Sequence, residues 1–231
     1  MSKISAFFKK IFSKESLKKF FRTYIWLMVL LFVIDIVTKW TVMSIFGLDG
    51  MIEGRRSDSG AIAVIPGFCY IGGAINNGAA FSLLAGNRIP LLIISIVMSG
   101  AFIAYYVIQY KKLNTLYKIA LALMITGAFG NLIDRAFYWP STTGFDGVID
   151  WIIFKFGSWE FAMFNIADAC LVIGIIVILI AMIIEEAKEV KARAKRGEYK
   201  YSPEQLEKME KEKNNAEIST KSEENEDNKG E

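Results

Sequence analysis

Residues 127–169 read GAFGNLIDRAFYWPSTTGFDGVIDWIIFKFGSWEFAMFNIADA, and this stretch decides the fold. Its two ends are apolar enough to lie in a bilayer, yet they carry Asp134 and Asp168, with Asp150 between them. An ionisable group in that setting is costly and marks a functional site by default. Asn131 with Asp134 and Asn165 with Asp168 repeat one pattern, Asn-x-x-Asp. A spacing of three puts amide and carboxylate on one helical face. Either each Asn merely satisfies an Asp at a helix end, or the groups form a shared site, and two copies plus a third carboxylate favour the second reading.

The rest of the composition also describes a membrane protein. Of 231 residues 53% are hydrophobic, with 17 Phe and 5 Trp, more apolar surface than a soluble domain of this length can hide. The net charge of +3 is unevenly spread, basic at the N-terminus and in one short loop and mixed in the tail. It reports orientation and gives no sign of a nucleic-acid site. The chain has no histidine, which removes Ser-His-Asp and Cys-His catalysis and His-based zinc sites. Cys69 and Cys170 stand far apart, the second inside an apolar run. Neither a disulfide nor a thiolate metal site is expected, and no cofactor is implied.

Residues 1–23 carry Lys3, Lys9, Lys10, Lys14, Lys18, Lys19 and Arg22 against Glu15 alone, with apolar residues at helical spacing. They are expected to form a basic amphipathic helix on the inner leaflet. The first span is expected over about residues 24–46, where Asp35 and Lys39 lie four apart and partly offset each other's burial. Residues 47–88 are rich in turn formers and contain the β-prone runs AIAVI and FCYI, so a small sheet outside the membrane is expected. They lead into Asn76 and Gly78, which read first as a turn signal and alternatively as a bend that brings the backbone close to a neighbour. A second span is expected over 90–109, then a loop with Lys111, Lys112 and Lys118, then a third span from about 119 to GNLIDR. Residues 136–160, with a turn at GVIDW, are too polar to span, and the fourth span is expected over 161–184. Residues 185–231 hold 14 acids and 11 bases and are expected to begin as a charged helix and then lose order.

The basic residues at the span ends place both termini and the Lys111–Lys118 loop in the cytoplasm, and 47–88 and 136–160 outside. At a helical rise of ~1.5 Å per residue, Asp35 stands about 17 Å from Tyr24, Asp134 about 23 Å from Ile119 and Asp168 about 25 Å from Glu185. The hydrocarbon core is ~30 Å thick. Three helices thus deliver carboxylates to its outer third, and Asp150 reaches that level from the loop.

Without histidine or a metal, the route left to difficult chemistry near neutral pH is a pair of carboxylates sharing one proton. Like charges held close cannot both ionise, so one stays protonated while the other acts as a base on water. The same acids also suit a proton-coupled transporter, or an assembly subunit in which they only join helices.

Five motifs stand in one order: DxxTK at Asp35 to Lys39, NxGAAFS at Asn76 to Ser82, GNxxDR at Gly130 to Arg135, GVxD at Gly147 to Asp150 and FNxAD at Phe164 to Asp168. Together they resemble the lipoprotein signal peptidase (signal peptidase II) family over about residues 24–184. The resemblance implies a four-helix membrane aspartic endopeptidase of the bacterial cell membrane with an extracytoplasmic sheet cradle, and a monomer is expected. Its substrates would be lipid-modified prolipoproteins, cleaved just before a diacylglyceryl cysteine. By motif position Asp150 and Asp168 would be the catalytic pair. Asn76, Gly78, Asn131, Asp134, Arg135 and Asn165 would support the site and hold substrate, and Asp35 with Lys39 would brace the first helix. The chain departs from the family at Trp151, where Phe is usual, in a longer stretch between Arg135 and Gly147, and in its charged tail.

Overall fold

The structure is a computed structural model and describes residues 15, 21–54, 56–78, 87–138, 144–196, 204–205 and 207–215. Most of the basic N-terminal segment, Ala79 to Ser82 of the second motif, residues 139–143 of the second loop and residues 197–203 and 216–231 of the tail lie outside the described residues.

Four helices, α1 (Ile25–Glu53), α2 (Arg88–Gln109), α3 (Thr115–Phe137) and α4 (Ile166–Lys195), are long and apolar enough to cross a membrane. Their polarity is inverted relative to a soluble bundle. Val29, Val33, Val37, Ile93, Val97 and Ile108 point outward, while Asp35, Lys39, Asn131 and Asp134 are buried. A bilayer solvates the first set and forces the second to find partners inside the protein. α3 is the most enclosed, buried at Ala120–Ala122 and Met124–Ala128, then Gly130, Asn131 and Asp134. A Cβ on Gly127 would run into the carbonyl oxygen of Ala167, so α3 and the start of α4 meet almost backbone to backbone.

α1 loses helical geometry at Gly47 (φ 68°, ψ 171°), close to the expected end of the first span, but residues 48–53 continue as helix instead of the turn-rich segment expected there. The cause is tertiary. Met51 is wholly buried in a cluster with Val42, Tyr138 and Ile149, and this packing holds a turn too short to persist alone.

The sheet is antiparallel throughout, in the order β1 (Ile62–Ile65), β2 (Cys69–Asn76), β3 (Val148–Phe156), β4 (Trp159–Glu160). AIAVI and FCYI enter β1 and β2 as expected. GVIDW is not a turn, because Val148 to Trp151 open β3, a run of β-branched and aromatic residues for which β2 supplies a pairing edge. Nor does α4 begin at Phe161. Phe164 is tied to β3, with Ile152 N donating to its carbonyl at 2.8 Å and its own N–H returning to Ile152 O at 3.2 Å, so the helix starts only at Ile166.

The register between β2 and β3 selects the neighbours of Asp150. Ile71 pairs with Ile152 but Ala74 pairs with Asp150, so β2 carries one extra residue, at Gly72-Gly73. Without that bulge Gly73 would face Asp150, and Ile75 in place of Asn76 would be its diagonal neighbour. The bulge therefore puts Asn76 on the face of Asp150.

Residues from Met182 onward form a second unit, which includes the end of α4 and helical residues 207–215. Glu189 pairs with Arg193 and Glu207 with Lys211, both exposed and four apart, contacts worth a few tenths of a kcal/mol each.

Candidate active site

Asp150 sits 2% exposed on β3. Its Oδ2 accepts from Asn76 Nδ2 at 2.9 Å and its Oδ1 from Asn165 Nδ2 at 2.7 Å. The first bond follows from the bulge, since diagonal neighbours across an antiparallel pair share a face. The second follows from the Phe164 pairing, which delivers the next residue beside the strand.

Asn165 and Asp168 form a reciprocal cap on α4. Asn165 Oδ1 accepts from Asp168 N at 2.9 Å, and Asp168 Oδ2 accepts from Asn165 N at 3.1 Å. This is the capping-box arrangement with Asn and Asp in place of the usual pair. The two readings of Asn-x-x-Asp are thus both realised here, because Asn165 caps a helix and also touches Asp150. The remaining Asp168 oxygen, Oδ1, accepts from Asn131 Nδ2 at 2.6 Å. One asparagine, Asn165, therefore bridges both carboxylates, and each carboxylate oxygen has a fixed N–H donor. Burial first, and then the neighbouring Asp168 carboxylate, hold the Asp150 carboxyl well above its usual range, against the pull of its asparagine partners.

A second layer lies beneath. Lys39 Nζ, fully buried, meets Asp35 Oδ2 at 2.7 Å, Asp134 Oδ2 at 2.8 Å and Asn131 Oδ1 at 3.4 Å. The Asp35 contact is an ion pair by distance, without the alignment of a hydrogen bond. Asp35 Oδ1 accepts from Ala167 N at 2.9 Å, and Asp134 Oδ2 accepts from Ile149 N at 3.4 Å. The expected Asp35–Lys39 brace is present, but Asp134 belongs to it too, so one ammonium joins α1, α3, the start of α4 and β3. A Cβ on Gly130 would lie 2.9 Å from Asp35 Oδ2, so the brace requires glycine there.

Arg135 Nη2 donates to Gly78 O at 3.1 Å, and Nη1 reaches Asn131 O and Ser95 Oγ at 3.4 Å each. Gly78 N donates in turn to Asn76 Oδ1 at 3.0 Å, a local turn of the kind that Asn and Gly signal. Every site residue expected from sequence is thus in one connected set, and Ser82 lies outside the described residues. Sequence reasoning missed Arg88 and Asp146, which pair at 2.7 Å beside this set. Both read as ordinary charges flanking a span or in a loop, and nothing in their spacing could have joined them. Among the described residues no group of three His, Cys, Asp or Glu is placed to hold a metal ion.

The chain was compared with known proteins. Residues 27–184 match the family described as Signal peptidase (SPase) II. The lipoprotein signal peptidase of Staphylococcus carnosus is 35% identical over 156 residues, 66% of this chain and 93% of that protein. That of Bacillus pumilus is 34% identical over 155 residues, 67% of this chain and 88% of its own. Two solved structures described as bacterial membrane enzymes, studied by the in meso method, are also similar. The first has a TM-score of 0.58 at 32% identity and covers 72% of this chain and 90% of its own, and the second 0.54 at 34%, covering 69% and 92%. With the matched residues taking in α2, α3, the sheet and the greater part of α1 and α4, the chain belongs to the signal peptidase II family.

Proposed function

We propose that this chain is a membrane aspartic endopeptidase that removes signal peptides from bacterial prolipoproteins, cleaving before the diacylglyceryl-modified cysteine with a water activated by Asp150 and Asp168. The observation that carries the assignment is the bridge made by Asn165, which contacts Asp150 directly and caps the helix together with Asp168. It holds the buried carboxylate of Asp150 and the part-buried carboxylate of Asp168 as one unit, the condition for sharing a proton. In this reading the ionised partner takes a proton from water as it attacks the scissile carbonyl, and the protonated partner donates to the leaving amine. The Lys39 cluster fixes the scaffold. The guanidinium of Arg135, which donates to the carbonyl of Gly78, is proposed to help hold the extended peptide.

The orientation proposed has both termini in the cytoplasm and the carboxylates toward the outer face. It is supported by Lys111, Lys112 and Lys118 at the α2–α3 end, with the sheet and the carboxylates at the other. A lipid anchor on the substrate cysteine would keep the scissile bond at that depth, and the enzyme is proposed to act as a monomer. The transporter alternative gains nothing from the relatives, which are peptidases.

The test is incubation of purified protein in detergent with a lipid-modified precursor and with the same precursor lacking the lipid. Release of the signal peptide from the first alone is expected. No release from either, by protein that is folded, overturns the reading. Cysteine accessibility scanning in intact cells tests orientation, and labelling from outside at residue 210 would reverse it.

A further inference from the structure

We propose that Arg88 is a positioning residue that fixes the separation of the two carboxylates by clasping the segments on which they depend. Its Nη1 pairs with Asp146 Oδ1 at 2.7 Å, and its Nη2 donates to the carbonyl of Arg135 at 2.5 Å. Asp146 stands four residues before Asp150, at the entrance to β3. Arg135 lies in the last turn of α3, one turn beyond Asn131, whose amide holds Asp168. A single guanidinium therefore spans the strand that carries one acid and the helix that orients the other.

Three features argue for a dedicated role. Arg88 is the first residue of α2, and a cation at a helix N-terminus is opposed by the macrodipole, so local helix physics does not explain it. Its acceptors do. A carbonyl in the last turn of a helix has no certain intrahelical partner, and a planar fork reaches two acceptors at once where an ammonium is a point charge. The side chain is 9% exposed and Asp146 34%, so water screens this pair less than a surface one. Lastly, the clasp links the two ends of the connection between α3 and β3, from the carbonyl of Arg135 to the carboxylate of Asp146. Holding loop ends together opposes the entropy of the chain between them.

The inference rests on the dyad reading above, and the test separates the two. The variants are Arg88→Met, Arg88→Lys, Asp146→Asn and the double variant Arg88→Met with Asp146→Asn, in the full-length protein. Measured are kcat and KM, the pH–rate profile, and the pH dependence of the unfolding temperature in detergent, which follows the carboxylates whether or not the protein cleaves. The charged groups facing Asp150 are Asp168 from α4, Lys39 from α1 and Arg135 from α3, while β2 offers the uncharged Asn76. Separating the carboxylates weakens only the repulsion from Asp168 directly.

Arg88→Met is expected to lower kcat by about 10- to 100-fold, the order that a displacement of about 1 Å produces, with KM little changed. The alkaline limb of the profile moves to lower pH, because carboxylates farther apart hold a shared proton less tightly. Arg88→Lys falls between Met and wild type, and the double variant is no worse than Arg88→Met. A folded Arg88→Met protein with unchanged kcat and an unmoved alkaline limb overturns the proposal. If Arg88→Met does not fold, Arg88→Lys and Asp146→Asn decide it by the same criteria. If wild type does not cleave, the proposed function fails, and the clasp stands or falls on the pH dependence of unfolding.

Discussion

Replacing Asp150 by Asn separates catalysis from stability, and the structure supplies both magnitudes. Asp150 accepts one N–H from Asn76 and another from Asn165. An amide in its place keeps one acceptor and turns an NH2 group toward the other donor. Neither neighbour can flip freely, since Asn76 Oδ1 is held by Gly78 N and Asn165 Oδ1 by Asp168 N. The variant thus loses one hydrogen bond and leaves a buried donor unpaired, about 1–3 kcal/mol. Against this it removes a carboxylate that burial and Asp168 both disfavour when charged. Net stability near neutral pH is expected to stay within about 1 kcal/mol of wild type, well inside the usual range for a buried change. The pH dependence has a definite sign. The folded protein binds the Asp150 proton more tightly than the unfolded chain, so wild-type stability falls as pH rises from the ordinary carboxylate range, ~4, toward the raised folded value. Asp150→Asn lacks that decline, and its unfolding temperature should gain on wild type between pH 5 and pH 8. Cleavage should fall by at least ~100-fold, the lower range for a general acid or base, and Asp168→Asn should fall as far. The assay is single-turnover cleavage of a lipid-modified precursor beside thermal unfolding in detergent. A variant that keeps more than about a tenth of the wild-type rate refutes the dyad and makes Asp134 the next candidate.

Lys39→Met leaves Asp35 and Asp134 buried without their cation, a loss of about 3–5 kcal/mol that should appear as a collapse in folded yield; normal yield would mean that the carboxylates re-pair. Asp35→Asn should lower the unfolding temperature more than the single-turnover rate, because its contacts are to Lys39 and Ala167 N and not to the acids themselves. Trp151→Phe removes an indole N–H buried without a partner among the described residues and trims packing against the Met51 and Ile149 cluster. The two effects oppose, so cleavage should persist with stability within about 1 kcal/mol, and a large loss in either would show that the indole has an unseen partner. Truncation after Lys195 should leave cleavage intact, since the charged residues beyond it cannot build a core against a membrane domain; a folded truncation without activity would give the tail a part in the site.

Hydropathy and spacing by themselves determined the membrane class, four spans, a small sheet between them and the places of Asp35, Asp134 and Asp168 along their own helices. These are properties of single segments, because the length of an apolar run and the face on which a residue falls are local. The family resemblance then named the pair. What only the tertiary structure decided are relations between segments. The Gly72-Gly73 bulge chooses Asn76 over Ile75 as the neighbour of Asp150. Pairing of Phe164 with β3 delays α4 and turns Asn165 into a cap that touches both acids. Asp134, expected with the site's support, also joins Asp35 on Lys39, and Arg88 finds Asp146 across 58 residues of chain. Each depends on register and on which buried donor lies nearest which acceptor, and a buried polar group takes its partner from whatever packing brings within 3 Å, at any separation along the chain.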